Sequence, residues 1–334
     1  MQSATILILY VGNNFMRALH KHIKIFILFI LFILLFSCKK DRIEINYPPI
    51  NVISDNFIVP IKVNSIPSSV SKINFSDVGL ILYFDTIRTN EIGFYVSNQN
   101  LYPISIYYED SSLNLKPEIK TPIVLALDEN SDFFITKYLI IDTNADYKIK
   151  MPHFDDFYGS INATHDDSYV YGLPYPENKT YQVGQGYNGE FTHNGDGRYA
   201  IDFLMPIGSE IVAARDGVVA QIVDKYSGHG IEPAYLDSTN GIVIVHNDGS
   251  YADYGHIKQY GSLVSKGQSV KKGQLIGYSG DVGYSNIAHL HFEVDIPYSL
   301  HPVYKKKSIP TKFDTKEGNN LYLDNDRVYT SINK

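Results

Sequence analysis

The strongest constraint on how this chain folds is the spacing of its apolar runs. From Phe57 to Met151 these are short and rich in Val, Ile, Tyr and Phe: "FIVPIKV", "GLILYFDT", "IGFYVS", "ISIYYE", "PIVLAL" and "FFITKYLIID". Asn, Asp, Ser, Gly and Pro separate them, the pattern of an all-β sandwich. From Leu173 to about Pro302 Gly becomes frequent and the runs follow more closely: "YAIDFLM", "EIVAA", "GVVAQIVD", "GIVIVHND", "SYADYGHI", "QLIGYSG" and "HLHFEV". This second stretch reads as a compact antiparallel β-domain with little helix. Within it, "KGQSVKKGQLIG" places Gly267 and Gly273 at two tight turns. The chain has 27 Tyr and 17 Phe but no Trp, a composition that suits half-buried pleated surfaces. The expected fold class is mainly β, a sandwich-like module followed by a compact antiparallel sheet domain.

The first 38 residues follow a different logic. Arg17, Lys21 and Lys24 precede an unbroken apolar run from Ile25 to Phe36. That run is short for a membrane-spanning helix, which needs roughly 20 residues, and fits the core of an export signal. It ends in Leu35-Phe36-Ser37-Cys38, which resembles the lipobox where bacterial lipoproteins are cleaved and acylated. Cys38 is the single cysteine, so no internal disulfide is open to it, and acylation gives it a use. An uncleaved anchor helix is the alternative, and in either case the rest of the chain is expected to be exported. The predicted organisation is a lipoprotein signal over 1–38, a tether over 39–56, a β-rich accessory module over 57–151, a linker over 152–172, the second β-domain over 173–304 and a polar tail over 305–334. The formal net charge is −7 and no Lys/Arg stripe stands out, so nucleic acid is not expected as a partner.

Chemistry concentrates in the second β-domain. In a strand, residues two apart share a face, so "HLHFEV" projects His289 and His291 together, with Glu293 following, while Leu290 and Phe292 face the core. Two adjacent imidazoles suit a metal ligand beside an acid/base group. His193 lies in "FTHNGDGRYAIDF" and Asp202 in its strand-like part. His193, Asp202 and His291 make a His/Asp/His set whose three ligands would leave one zinc position open, the arrangement of catalytic rather than structural zinc. Asp196 competes for the carboxylate role, but its Asn-Gly-Asp-Gly setting reads as a turn. His256 ends a predicted strand. His246 alternates with Val and Ile and reads as structural. His153 and His165 read as solvated loop residues. No nucleophilic Ser motif and no phosphate-binding Gly loop are visible.

From about Leu173 to Pro302 the chain resembles the lysostaphin-like (LytM-type) zinc metallopeptidases. The segments that carry the resemblance are "GQGYNGEFTHNGDGRYAIDFLMPIGSEIVAARDGVV", "GIVIVHNDGSYADYGHI" and "VSKGQSVKKGQLIGYSGDVGYSNIAHLHFEV". The resemblance implies one zinc ion per chain on His193, Asp202 and His291, with His256 and His289 as the catalytic pair. It also implies Tyr187, six residues before His193, as a transition-state stabiliser. One departure concerns spacing. Many members place the Asp four residues after the first His, whereas here eight residues intervene. The implied activity is hydrolysis of peptide stems or cross-bridges in bacterial peptidoglycan, by an enzyme held to a membrane of the cell envelope through lipidated Cys38. The alternative is a degenerate peptidase-like protein that binds or regulates other wall hydrolases.

Overall fold

The computed structural model describes residues 51–54, 57–67, 71–75, 78–149, 153–300 and 303–332. The expected signal segment, Cys38 and most of the expected tether lie outside the described residues. The fold is nearly all β, and the helices among the described residues are two short 3-10 turns, Gly195–Gly197 and Pro233–Ser238.

The accessory module is two sheets closed on one core. The five-stranded sheet runs in the order Asn51–Ser54, Phe57–Val59, Ile123–Leu127, Ile104–Glu109 and His153–Tyr158. The six-stranded sheet is built on the long antiparallel strands Leu80–Arg88, Glu91–Asn98 and Ser131–Ile140. Pro60 splits the run "FIVPIKV" into two strands that belong to different sheets. Proline supplies no N–H to a ladder, so a change of sheet there costs no hydrogen bond. Leu82, Phe94, Val96, Ile104, Ile106, Tyr108, Leu125 and Leu127 fill the space between the sheets. Two tyrosines buried there, Tyr108 and Tyr138, satisfy each other's hydroxyls.

A nine-stranded sheet dominates the second domain. Its central strands are Gly217–Val223, Gly241–Val245, Tyr251–Gly255, Leu290–Leu300, Ile201–Leu204 and Thr180–Gln185, in that spatial order, all neighbours antiparallel. Period-two alternation divides it into two faces. Ile242, Ile244, Ala252, Tyr254, Leu290, Phe292, Val294, Ile201 and Phe203 point into the main core. The small sheet of Glu210–Val212, Leu275–Ser279 and Ile257–Ser262 covers that core, contributing Ile211, Ile276 and Ile257. Gly267 and Gly273 take φ of 82° and 83° at the two predicted turns, a conformation glycine adopts without strain. The opposite face carries Asp202, Asp253, Gly255, His291 and Glu293. At one end of that same face, Val243, Val245 and Tyr251 pack against Tyr102 and Tyr158 of the accessory module. The Tyr102 hydroxyl donates to the Ala220 carbonyl (3.3 Å) across this contact.

Three expectations need correction. Residues 305–334 are not a polar tail. They supply most of the strand Val303–Ser308, paired with Leu290–Leu300, and the strand Val328–Thr330, which edges the large sheet beside Thr180–Gln185. Phe313, Leu323 and Tyr329 from this segment are buried in the main core. Nor is 152–172 a plain linker: His153–Tyr158 edges the five-stranded sheet and Val170–Tyr171 pairs in parallel with Lys312–Thr315. His165 is not solvated either. Its side chain is 5% exposed, with Nδ1 3.1 Å from Asp167 and Nε2 2.9 Å from the Tyr171 hydroxyl.

Candidate metal centre

Pairing of three strands brings the polar residues together. Asp202 and His291 are directly opposite across the Ile201–Leu204 and Leu290–Leu300 ladder. Gly255 is opposite His291 on the other side. A Cβ on Gly255 would come within 3.2 Å of the His291 Cβ, so glycine leaves the imidazole its space. His193 reaches the same point from the loop between Thr180–Gln185 and Ile201–Leu204. The eight residues between His193 and Asp202 include the 3-10 turn Gly195–Gly197, which takes up the longer spacing.

Three imidazole nitrogens converge on Asp202 Oδ1: His291 Nδ1 at 2.9 Å, His193 Nε2 at 3.2 Å and His289 Nε2 at 3.6 Å. His193 is 1% exposed, and its Nε2 is buried without a hydrogen-bond partner. Its Nδ1–H donates to the Gly186 carbonyl (2.9 Å), which leaves a lone pair on Nε2 aimed at the carboxylate. Two acceptors facing each other in a buried place are unfavourable unless a cation or proton sits between them. Among the described residues, His193, Asp202 and His291 are the group whose ligand atoms all lie within 4.8 Å of one another. The donor set, two imidazoles and one carboxylate, fits zinc with a position left open. Burial raises the Asp202 pKa, but the neighbouring His193, His291 and His289 rings outweigh it and hold the carboxylate ionised. Burial likewise opposes charge on His291, yet Asp202 and Glu293 raise its pKa well above the usual imidazole value.

His289 and His256 complete the cluster, with ring centroids 4.5 Å apart. His289 Nδ1–H donates to the Ile287 carbonyl (2.8 Å), and His256 Nδ1–H donates to the Val282 carbonyl (3.0 Å). In the neutral form each ring then has its lone pair on Nε2. Burial and the neighbouring His289 and His291 rings push the His256 pKa down to about 3, so that ring is neutral in any ordinary buffer. His256 holds φ at 60°, a left-handed conformation uncommon for a residue with a side chain and concentrated at functional sites.

The remaining sequence candidates fall elsewhere. Tyr187 is packed between Tyr199 and Tyr322, and its hydroxyl donates to the Thr311 carbonyl (2.8 Å) and accepts from the Thr311 N–H (2.7 Å). Its phenol is spent on that segment, so the structure does not bring Tyr187 into the cluster. Asp196 accepts from the Tyr298 hydroxyl (2.8 Å) and is no metal competitor. His246 donates from Nδ1 to the Asp216 carbonyl (2.8 Å) in a buried structural setting. Sequence reasoning missed Gln185. Its Nε2 donates to Asp202 Oδ2 (3.1 Å), and its Oε1 accepts from Phe191 N (3.1 Å), tying the His193 loop to the Asp202 carboxylate. The signal for Gln185 is its register opposite Asp202, which only strand pairing reveals.

No curated protein matches the chain. The family model described as Peptidase family M23 matches residues 196–303. The match includes Asp202, His256, His289 and His291 and begins three residues after His193. Among solved structures, the catalytic domain of the antimicrobial peptidase lysostaphin from Staphylococcus simulans is 28% identical, with 38% of this chain and 86% of that one covered and a TM-score of 0.27. Full lysostaphin from the same organism is 30% identical, with 37% and 46% covered and a TM-score of 0.28, so the match spans about half its length. A mutant catalytic domain of the prophage-encoded M23 protein EnpA from Enterococcus faecalis is 23% identical, with 42% and 95% covered and a TM-score of 0.30. The segment similar to Peptidase family M23 thus carries four of the five clustered side chains.

Proposed function

We propose that this chain is a zinc metalloendopeptidase that hydrolyses peptide stems or cross-bridges of bacterial peptidoglycan. The observation that carries this reading is the convergence of His193, His289 and His291 on one oxygen of Asp202, with His256 beside them. The five His and Asp side chains that the resemblance implies are all present and gathered, which supports an active enzyme over a degenerate regulator. The family and the antimicrobial peptidase among the similar structures support a wall peptide as substrate.

His193, Asp202 and His291 would hold the metal. Zinc bound there supplies Lewis acidity toward a carbonyl and toward water. The protein's own residues account for the rest. The unprotonated Nε2 of His289 accepts the proton released by the attacking water, then returns it to the leaving amine as the C–N bond breaks. His256 presents a second neutral Nε2 beside His289, where it accepts a hydrogen bond from the water and orients it. It becomes a donor to the developing oxyanion only after taking up a proton itself. Gln185 holds Asp202, so the carboxylate does not turn away between turnovers.

We also propose export and anchoring through a lipid on Cys38, supported by the basic, apolar and lipobox-like segments before it. Incorporation of a labelled fatty acid into the wild-type chain but not into Cys38→Ala is the expected result. Digestion of purified sacculi tests the activity. New amine ends should appear, and mass spectrometry of the fragments would name the bond cut. Intact sacculi and intact cross-linked muropeptides after incubation with zinc-loaded protein would contradict the proposal.

A further inference from the structure

The face that carries the metal cluster continues into a second polar group. Glu293 and Asp295 follow His291 on alternate positions of Leu290–Leu300, and Asp253 pairs with Glu293 from the neighbouring strand. Glu293 and Asp295 are 6% and 1% exposed. One lysine serves all three carboxylates. Lys306 Nζ is 2.7 Å from Glu293 Oε1, 2.9 Å from Asp295 Oδ2 and 3.8 Å from Asp253 Oδ2. The same Glu293 Oε1 stands 3.8 Å from His291 Nε2, the ring nitrogen opposite the one that faces Asp202.

We propose that Glu293, clamped by Lys306, is the positioning residue for His291. At 3.8 Å the contact is electrostatic and not a hydrogen bond, and it favours the imidazole proton on Nε2, the nitrogen nearer Glu293. That leaves the lone pair on Nδ1, pointed at Asp202 and the metal position, and a carboxylate behind a ligating imidazole also raises its basicity. Lys306 is needed because the buried carboxylates of Glu293 and Asp295 and the half-buried one of Asp253 repel one another, and without a counter-charge Glu293 would turn toward water. Lys306 lies beyond the family match, which ends at residue 303, so the C-terminal segment reaches back to set the metal site. The inference rests on the reading that His193, Asp202 and His291 bind zinc.

The test is zinc affinity of the full chain, measured by competition with a chromophoric chelator, for wild type, Lys306→Met, Lys306→Arg and Glu293→Gln. Thermal unfolding of the zinc-free forms checks that each variant is folded. Lys306→Met and Glu293→Gln should bind zinc about 10- to 100-fold more weakly, and Lys306→Arg should recover most of that loss. With zinc saturating, kcat should fall while KM stays within about twofold, since the change acts on the ligand ring and not on substrate binding. Should Lys306→Met fail to fold, the near-isosteric Glu293→Gln carries the same expectation. Folded variants that bind zinc as wild type does would overturn the positioning role alone. A wild-type chain that takes up no zinc would overturn the metal-site reading and this inference together.

Discussion

Asp202 and His291 occupy directly opposed positions on adjacent antiparallel strands, with Asp202 Oδ1 2.9 Å from His291 Nδ1. Eighty-nine residues separate them in sequence, so the ladder, not local chain geometry, creates the pair. A strand-mounted site of this kind is stiff, because moving either ligand means breaking backbone hydrogen bonds on both sides. His193 alone arrives from a loop, and the Gly186 carbonyl and Gln185 restrain it there.

The division of labour between His291 and His289 is testable by substitution. In His289→Ala the three ligand residues are untouched, so zinc content should equal wild type while turnover falls by about 10²- to 10⁴-fold, the usual contribution of a general base. Metal analysis and a peptide-cleavage assay on the same preparation check this. Equal loss of zinc in His289→Ala and His291→Ala would show that the roles are assigned wrongly.

Tyr187→Phe should leave hydrolysis within about twofold of wild type. The variant loses the hydroxyl that joins Thr311, and stability should drop by about 1 kcal/mol for that hydrogen bond, read by denaturant unfolding. A fall of several orders of magnitude in turnover, with zinc retained, would restore Tyr187 to the catalytic group.

Ending the chain at residue 304 should prevent the second domain from folding. The cut removes Phe313, Leu323 and Tyr329 from the core, each 4% exposed or less, and strips the edge strand Val328–Thr330 from the sheet. Losing one large buried side chain already costs on the order of 3 kcal/mol, so losing three exceeds the stability of an ordinary domain. A soluble, cooperatively unfolding product would contradict this packing.

Acid stability should depend on His246. Burial and the neighbouring Arg215 push its pKa from the usual 6.5 down to about 4. The unfolded chain therefore binds a proton that the folded chain refuses between those values. Stability is complete above about pH 6.5 and is lost as the pH falls toward about 4, by on the order of 3 kcal/mol. His246→Gln should be less stable than wild type at pH 7.5, and the gap should narrow by pH 4.5. A gap of constant size across that range would show that His246 does not titrate with unfolding.

The β-class and most of the site were legible because period-two alternation is a local property. "HLHFEV" announces which residues share a face, and "YAIDF" places Asp202 on a strand with Ile201 and Phe203 turned inward. What sequence concealed is non-local. The Tyr187 hydroxyl finds a partner 124 residues away, and nothing near Tyr187 signals that. The C-terminal segment read as a tail because it contributes single core residues set among Lys, Asn and Asp, too sparse to form a periodic pattern. Lys306 falls within the expected polar tail, and only the hairpin of Leu290–Leu300 and Val303–Ser308 brings it to Glu293. His165 looked solvated for the same reason: its cover, Tyr171, belongs to a strand whose pairing partner is Lys312–Thr315.

The most direct test of the account is metal content and sacculus hydrolysis measured together on the purified chain and on His291→Ala. Wild type should carry about one zinc per chain and release new amine ends from peptidoglycan, and both should be lost in the variant. A wild-type chain without zinc, or one that cleaves equally well after His291→Ala, would contradict this reading.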